Sequence, residues 1–348
     1  MHKTLPKLTR TLPTLALPSL ALTMNLRHAT LWDDTGTLLI PFPDTAFRIH
    51  RPVLLGAAPH LQSRLTPASS GSLPPDSALA DLEGQGSEKL DVLDVPENIA
   101  ATDFAILLDY LSGRTPLTAS HLEPLLRISS PETLDIPSVY AKASAHLNEM
   151  FPSHLGAIAG ANAGVDAHEL EPALELAMRY KVDPETKKTL LYRVATSTEF
   201  DPTGAHDPSS PSSEHISSDP ALLTAHPALS PRTLRITHRT LASLIADFTP
   251  TLFTVGAAQH MACTDVIAER WMDDVIGPAL ADGGVGTPLE TLRRIEGVAE
   301  GWREHGLCEG CVGWLRGEWE GEREKIWGRL GAWIEEAERA ENAADASR

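Results

Sequence analysis

The chain has 348 residues, 42% of them hydrophobic and 22% charged, and its formal net charge is −18. Those proportions are globular and the length suffices for more than one core, while the charge argues against non-specific binding to nucleic acid or to anionic membranes. No apolar run approaches the ~20 residues that span a bilayer, and an odd cysteine count of three with no Asn-x-Ser/Thr sequon points to a reducing compartment, cytoplasmic or nuclear.

Residues 1–25 read as a disordered leader. The first 23 carry no acid, and Lys3, Lys7 and Arg10 make them basic. A mitochondrial transit peptide is the alternative, opposed by Pro6, Pro13 and Pro18, which break the helix such peptides form. Then come a strand at Ala29–Trp32, a turn at Asp33–Gly36 and a strand at Leu38–Phe42. Trp32 and Phe42 are expected in the core. Phe47 and Ile49 alternate as strand residues do, and Val53, Leu54 and Ala57 return at helical spacing after Pro52. His50, at the start of that helix, reads as a hydrogen-bonded structural residue with no carboxylate or cysteine beside it in sequence, not as an acid, base or ligand.

A second short helix is expected at Ala58–Leu65. Residues 66–88 are rich in Ser, Pro, Gly and Asp and read as a flexible insertion. Lys89–Val95 reads as a strand. Phe104, Leu107, Leu108 and Leu111 form one apolar helical face, closed by Gly113. Thr118 is placed to cap a helix through Leu122, Leu125 and Leu126. Ser138 opens another through Tyr140, Ala143, Leu147 and Met150.

Several stretches in this order carry a resemblance. Phe47-Arg-Ile-His-Arg-Pro-Val-Leu54, then Leu93-Asp-Val-Pro-Glu97 and Asp103-Phe-Ala-Ile-Leu-Leu-Asp-Tyr-Leu-Ser-Gly113, resemble BTB/POZ domains of the fungal type. His60 and Leu61 stand where that pattern has a Ser and an aromatic, and Ser112 replaces a second aromatic. The resemblance spans 26–152 and makes Phe47, His50, Leu54, Phe104, Leu108 and Tyr110 its structural motif. It implies an α+β fold, mostly helical: a small sheet capped by helices, followed by an all-α C-terminal module. It also implies a non-enzymatic protein–protein interaction module that self-associates as a homodimer through the first helices and the amino-terminal strand. Val53, Leu54, Leu55 and Leu61 are the residues expected at that interface. Two further roles follow from it. One is a substrate adaptor for a cullin-type ubiquitin ligase, with Leu107–Leu111 and Leu122–Arg127 facing the scaffold. The other is a transcriptional co-regulator that does not itself contact DNA, since no basic helix or finger array is present.

Residues 153–200 read as a helical extension. Its His168-Glu-Leu-Glu-Pro172 misses the zinc-protease motif, because Pro172 occupies the second histidine's place. Residues 201–235, dominated by Pro, Ser, His and Asp, read as a disordered linker. Residues 236–335 form a helical module, with a stretch from Leu252 to Val275 read as continuous helix. Asp282–Gly286 is a turn, and Thr287-Pro-Leu-Glu290 a capping box. Trp302, Trp319 and Trp333 fall on core faces, and residues 336–348 read as a tail.

His260-x-x-Cys263 and Cys308-x-x-Cys311 use every cysteine of the chain in pairs spaced for zinc. Two readings stand: a structural zinc stapling the tryptophan-rich helices, or buried and idle thiols. No other cofactor is indicated. There is no Gly-x-Ser-x-Gly elbow, Walker A or dinucleotide fingerprint.

Overall fold

A computed structural model describes residues 27–67, 90–151, 155, 167–180, 182–197 and 228–347. The leader, most of the 66–88 insertion and most of the 201–235 linker lie outside the described residues. The chain divides into two compact units, one of residues 1–116 with 131–136 and one of 117–130 with 137–348. The division at 116 puts the helices expected to complete the 26–152 domain with the C-terminal helices instead.

The first unit is built on a mixed five-stranded sheet in the order β1-β3-β2-β5-β4. Its strands are β1 (Arg27–Trp32), β2 (Leu38–Pro41), β3 (Ala46–Ile49), β4 (Leu65–Pro67) and β5 (Asp91–Leu93). β2 is central and its Leu38, Leu39 and Ile40 are all buried, as an uninterrupted apolar run with cover on both faces requires. It runs antiparallel to β3, with Leu38 opposite Ile49 and Ile40 opposite Phe47. It runs parallel to β5. β4 occupies 65–67, so the insertion begins two residues later than expected.

The first two strands are not hydrogen-bonded neighbours; β3 lies between them. The reason is the turn. Asp33 Oδ1 accepts from Thr35 N–H (2.8 Å) and Thr35 Oγ1 (2.6 Å), and Asp33 N–H donates to Arg48 O at 2.8 Å. The turn thus crosses the end of β3, and Gly36 lies against its backbone. A Cβ at Gly36 would sit 2.8 Å from Ile49 N. Gly36→Ala is expected to destabilise this unit by about 2 to 3 kcal/mol, read as faster native-state hydrogen exchange at the β2 and β3 amides; unchanged exchange would refute the close approach.

Three phenylalanines hold α2 (Ala101–Leu111) to the sheet. The ring centroids of Phe42, Phe47 and Phe104 are 5.5–5.6 Å apart, the tilted geometry that suits their quadrupoles. Trp32 is not core. It is half-buried, carries the Arg27 guanidinium 4.9 Å above its ring, and donates from Nε1 to Asp34. α2 ends at Gly113, whose φ of 69° is left-handed, as the sequence predicts. α1 (Arg51–Leu55) and the 3-10 turn Pro59–Arg64 bury Leu54 and Leu61 completely. Those two side chains are therefore core, not interface; only Val53 and Leu55 keep part of their surface.

Among its described residues the second unit holds helices and no strand. Its first elements are α3 (Ala119–Ser129), α4 (Pro137–Met150), α5 (Ala167–Arg179) and α6 (Pro184–Ala195). α3 packs on α4, and α5 on α6. α7 (Pro231–Phe253) starts within the expected linker, because Ser230 accepts from Thr233 N–H at 3.2 Å and Pro231 sits at the first helical position. It ends at Phe253. After a loop come α8 (Met261–Trp271), a π-helical turn (Met272–Ile276), α9 (Gly277–Ala281), α10 (Pro288–Gly301), a 3-10 turn (Trp302–His305) and α11 (Glu309–Ala346). α11 packs along both α7 and α10. Trp271, Trp302 and Trp319 cluster with centroids 6.3–6.5 Å apart. Two of the ring N–H groups are used: Trp271 Nε1 donates to Leu252 O (3.0 Å) and Trp302 Nε1 to Asp274 Oδ2 (2.7 Å).

The expected capping box does not form. Thr287 makes no side-chain cap bond, and the Glu290 carboxylate accepts a 2.5 Å hydrogen bond from Tyr192 Oη of α6. Burial pushes the Glu290 carboxyl up, against the Tyr192 hydrogen bond and the Arg323 charge that hold it down. The folded chain thus holds that proton more tightly than the unfolded chain. Stability is lost as pH rises from the ordinary glutamate value through the raised one, and the loss is complete above it. In Glu290→Gln the window closes. The stability of the variant relative to the wild type should climb as pH rises from the ordinary glutamate value through the raised one, measured by urea unfolding followed through tryptophan emission; parallel profiles would refute the assignment.

Candidate metal centre

The stretch 252–275, read as one helix from its apolar spacing, is broken at 254–260, and the break builds the site. His260 is not helical. It is the N-cap of α8, with extended backbone at φ −116°, ψ 139°, and Cys263 lies in the first turn. Cys308 is likewise the N-cap of α11, at φ −75°, ψ 154°, with Cys311 in its first turn. An N-cap side chain and the one three residues on share a face over the helix start, the geometry a capping box uses. Here both helices use it to present ligand atoms to one point.

All four ligand atoms lie within 4.8 Å of one another. His260 Nδ1 is 3.4 Å from Cys308 Sγ, 3.4 Å from Cys311 Sγ and 3.9 Å from Cys263 Sγ. Bonds of about 2.3 Å to sulfur and about 2.0 Å to nitrogen give tetrahedral edges of about 3.5 Å for N···S and about 3.8 Å for S···S. Two of the N···S distances match the zinc edge and the four donors lie within 4.8 Å of one another, and all three cysteines are free thiols.

The electrostatics favour a thiolate at Cys308. Two helix N-termini direct their partial positive ends at the cluster. The main-chain N–H of Cys311, helped by hydrogen bonds from the other two thiols, pulls the half-exposed Cys308 thiol down to about 6. Burial pushes the Cys311 thiol up, and the main-chain N–H groups of Gln259 and His260 oppose that shift. Such N–H groups fix the orientation of metal-bound sulfur.

The loops are held independently. Thr264 Oγ1 accepts from Ala258 N–H at 3.0 Å and donates to His260 O at 3.2 Å, fixing the approach to α8. On the other side Gly306 takes φ 104°, and Leu307 N–H returns to Trp302 O at 3.1 Å. Only glycine adopts that φ without strain. The four ligands are legible as two pairs; Thr264 and the Gln259 amide are not, since a threonine in a helical stretch and a backbone donor leave no sequence mark.

The remaining sequence-derived residues do not converge on a second site. Phe47, Leu54, Phe104 and Leu108 are buried, and Tyr110 is half-buried. His50 is exposed and, unlike the sequence expectation, has a carboxylate partner, supplied by the turn: Asp33 Oδ2 lies 3.1 Å from Nε2. His60 lies 2.8 Å from Leu134 O. In the helix faces assigned to a ligase scaffold, Leu107, Leu122, Leu125 and Leu126 are each buried. No helix among the described residues is long and apolar enough to cross a membrane. Comparison with protein-family models, curated proteins and solved structures finds no match for this chain.

Proposed function

We propose that this protein is a non-enzymatic interaction scaffold whose C-terminal helical unit is closed by a structural zinc on His260, Cys263, Cys308 and Cys311. The observation that carries the reading is the convergence of two N-cap pairs to within 4.8 Å. Four protein ligands complete a tetrahedron and leave no position for a substrate or an activated water, which distinguishes a structural zinc from a catalytic one. The metal's work is then mechanical: it ties the start of α8 to the start of α11. Thiolate ligands also favour a reducing, cytoplasmic or nuclear location.

The N-terminal unit supplies the interaction role in this reading, as the BTB/POZ resemblance implies. With Leu54 and Leu61 in the core, self-association falls to the amino-terminal strand. β1 is an edge strand whose side chains at Arg27, Ala29 and Thr30 are exposed, and such an edge is a template for pairing with a second copy.

Metal analysis of the reduced full-length chain tests the zinc. One zinc per chain is expected, and cobalt substitution should give thiolate charge-transfer bands with tetrahedral d–d intensity. A chain purified without chelators that holds no metal and binds no cobalt would sink the reading. Light scattering tests the scaffold: a dimer that becomes a monomer when Ala29 and Thr30 are replaced by proline supports strand pairing, and a monomeric wild type overturns it.

A further inference from the structure

Beside the zinc ligands, α11 forms one side of an open groove of about 480 Å³. Trp314, Glu318 and Glu322 lie along one wall at successive turns of α11, with Leu315, Trp319 and Trp271 as the floor. The opposite wall is the end of α7 and the loop from Thr254 to Ala257. Both walls are anchored by the metal ligands: Ala257 stands three residues before His260, and Trp314 three residues after Cys311. The groove therefore rests on the zinc reading for its shape.

Its chemistry is one-sided. The floor is apolar and indole-rich, both charged lining residues are acids, and no basic residue lines it. Glu322 is shared with Lys325 and Arg329, whereas Glu318 is exposed and makes no ion pair among the described residues. Trp314 is half-buried, so part of its indole is open to the groove. Val255, which lines the groove, is 42% exposed. Soluble surfaces seldom place large apolar side chains around an unpaired carboxylate without a partner to cover them. A cation over an indole face, with a carboxylate beside it, gains from both the ring quadrupole and the charge.

We propose that this groove binds a basic, apolar-flanked segment of a partner protein, with a Lys or Arg side chain set between Trp314 and Glu318 and aliphatic side chains over Leu315 and Val255. The two turns of α11 from Trp314 to Glu322 give the wall a length of about 12 Å, enough for a segment of about four extended residues. Binding is metal-dependent, because without zinc the Thr254–Ala257 wall is no longer tied to α11.

The test is a titration of the zinc-loaded full chain, followed by tryptophan emission and calorimetry at physiological salt. The probes are acetyl-Leu-Arg-Leu-Lys-Leu-amide and its acidic counterpart acetyl-Leu-Glu-Leu-Glu-Leu-amide. Saturable binding of the basic peptide is expected, at least about tenfold weaker for the acidic one and for Glu318→Lys. Glu320→Lys is the control: it makes the same charge change on α11 outside the groove and should bind as the wild type does. No saturable binding of the basic peptide, or equal losses in Glu318→Lys and Glu320→Lys, overturns the proposal, since the second outcome is attraction to net charge alone. Zinc content is measured on the same samples. A zinc-loaded chain that ignores the peptide refutes the groove and leaves the staple; a peptide-binding chain with no metal refutes the staple.

Discussion

Cys311→Ser is expected to lower the Tm of the helical unit by roughly 10 °C in zinc-containing buffer and by little in the presence of a chelator. At free zinc about a thousandfold above its dissociation constant, binding to the folded state alone adds about 4 kcal/mol. For a domain of this size each kcal/mol moves Tm by about 2–4 °C. The variant loses a buried ligand, keeps nearly the same volume, and so loses mainly the metal. Chelation removes the same contribution from the wild type, and the two proteins should then melt together to within about 1 kcal/mol. His260→Ala should behave alike, since Nδ1 faces all three sulfurs. The tryptophans make the measurement selective, because all but Trp32 lie between 271 and 333. If the Cys311→Ser deficit persists undiminished in chelator, the thiol contributes by packing and the metal reading fails.

The second large effect is expected at Glu341, far along α11. Its side chain is 1% exposed and receives Arg235 Nε at 2.6 Å and Arg239 at 2.9 Å, both from α7. Lys187 of α6 pairs with Glu338 at 2.9 Å, one turn earlier. The residues from 336 onward are therefore not a tail: Ile334 and Ala337 are buried, and the helix runs to Ala346. Glu341→Ala leaves two guanidiniums facing each other around an empty place. Removing one member of a buried pair costs about 3–5 kcal/mol, and the partial exposure of both arginines brings the expected loss to about 2–3 kcal/mol. Arg239→Ala, at a side chain 45% exposed, should cost below about 1 kcal/mol. Urea unfolding followed by tryptophan emission reads both. Equal costs for the two variants would place the stabilisation in α11 itself, not in its charged seam with α7.

Much of this molecule is written locally. The apolar run Leu38–Ile40 is a buried strand, Phe104 to Leu111 is the inward face of a helix, and Gly113 ends it, because side-chain period and backbone freedom are properties of a few adjacent residues. The two metal-ligand pairs are visible on the same ground: each is an i, i+3 spacing of residue types that bind zinc. Net charge by itself argues against nucleic-acid and membrane surfaces as general partners.

What tertiary structure decided is everything that joins distant segments. Apolar spacing could not reveal that α7 stops at Phe253, because Leu252 to Val275 keeps a plausible helical face across the break; the loop exists because Trp271 Nε1 reaches back to Leu252 O and His260 must be extended to cap α8. The family resemblance likewise assigned Leu54 and Leu61 to a surface that packing claims for the core, since burial depends on what lies opposite and not on the residue itself. Glu290 serves Tyr192 instead of its own helix start, and Glu341 serves two arginines more than a hundred positions earlier. Charges and donors choose partners by distance in space, so the sequence could name the four candidate metal ligands, but only the meeting of two helix starts could bring them to one point.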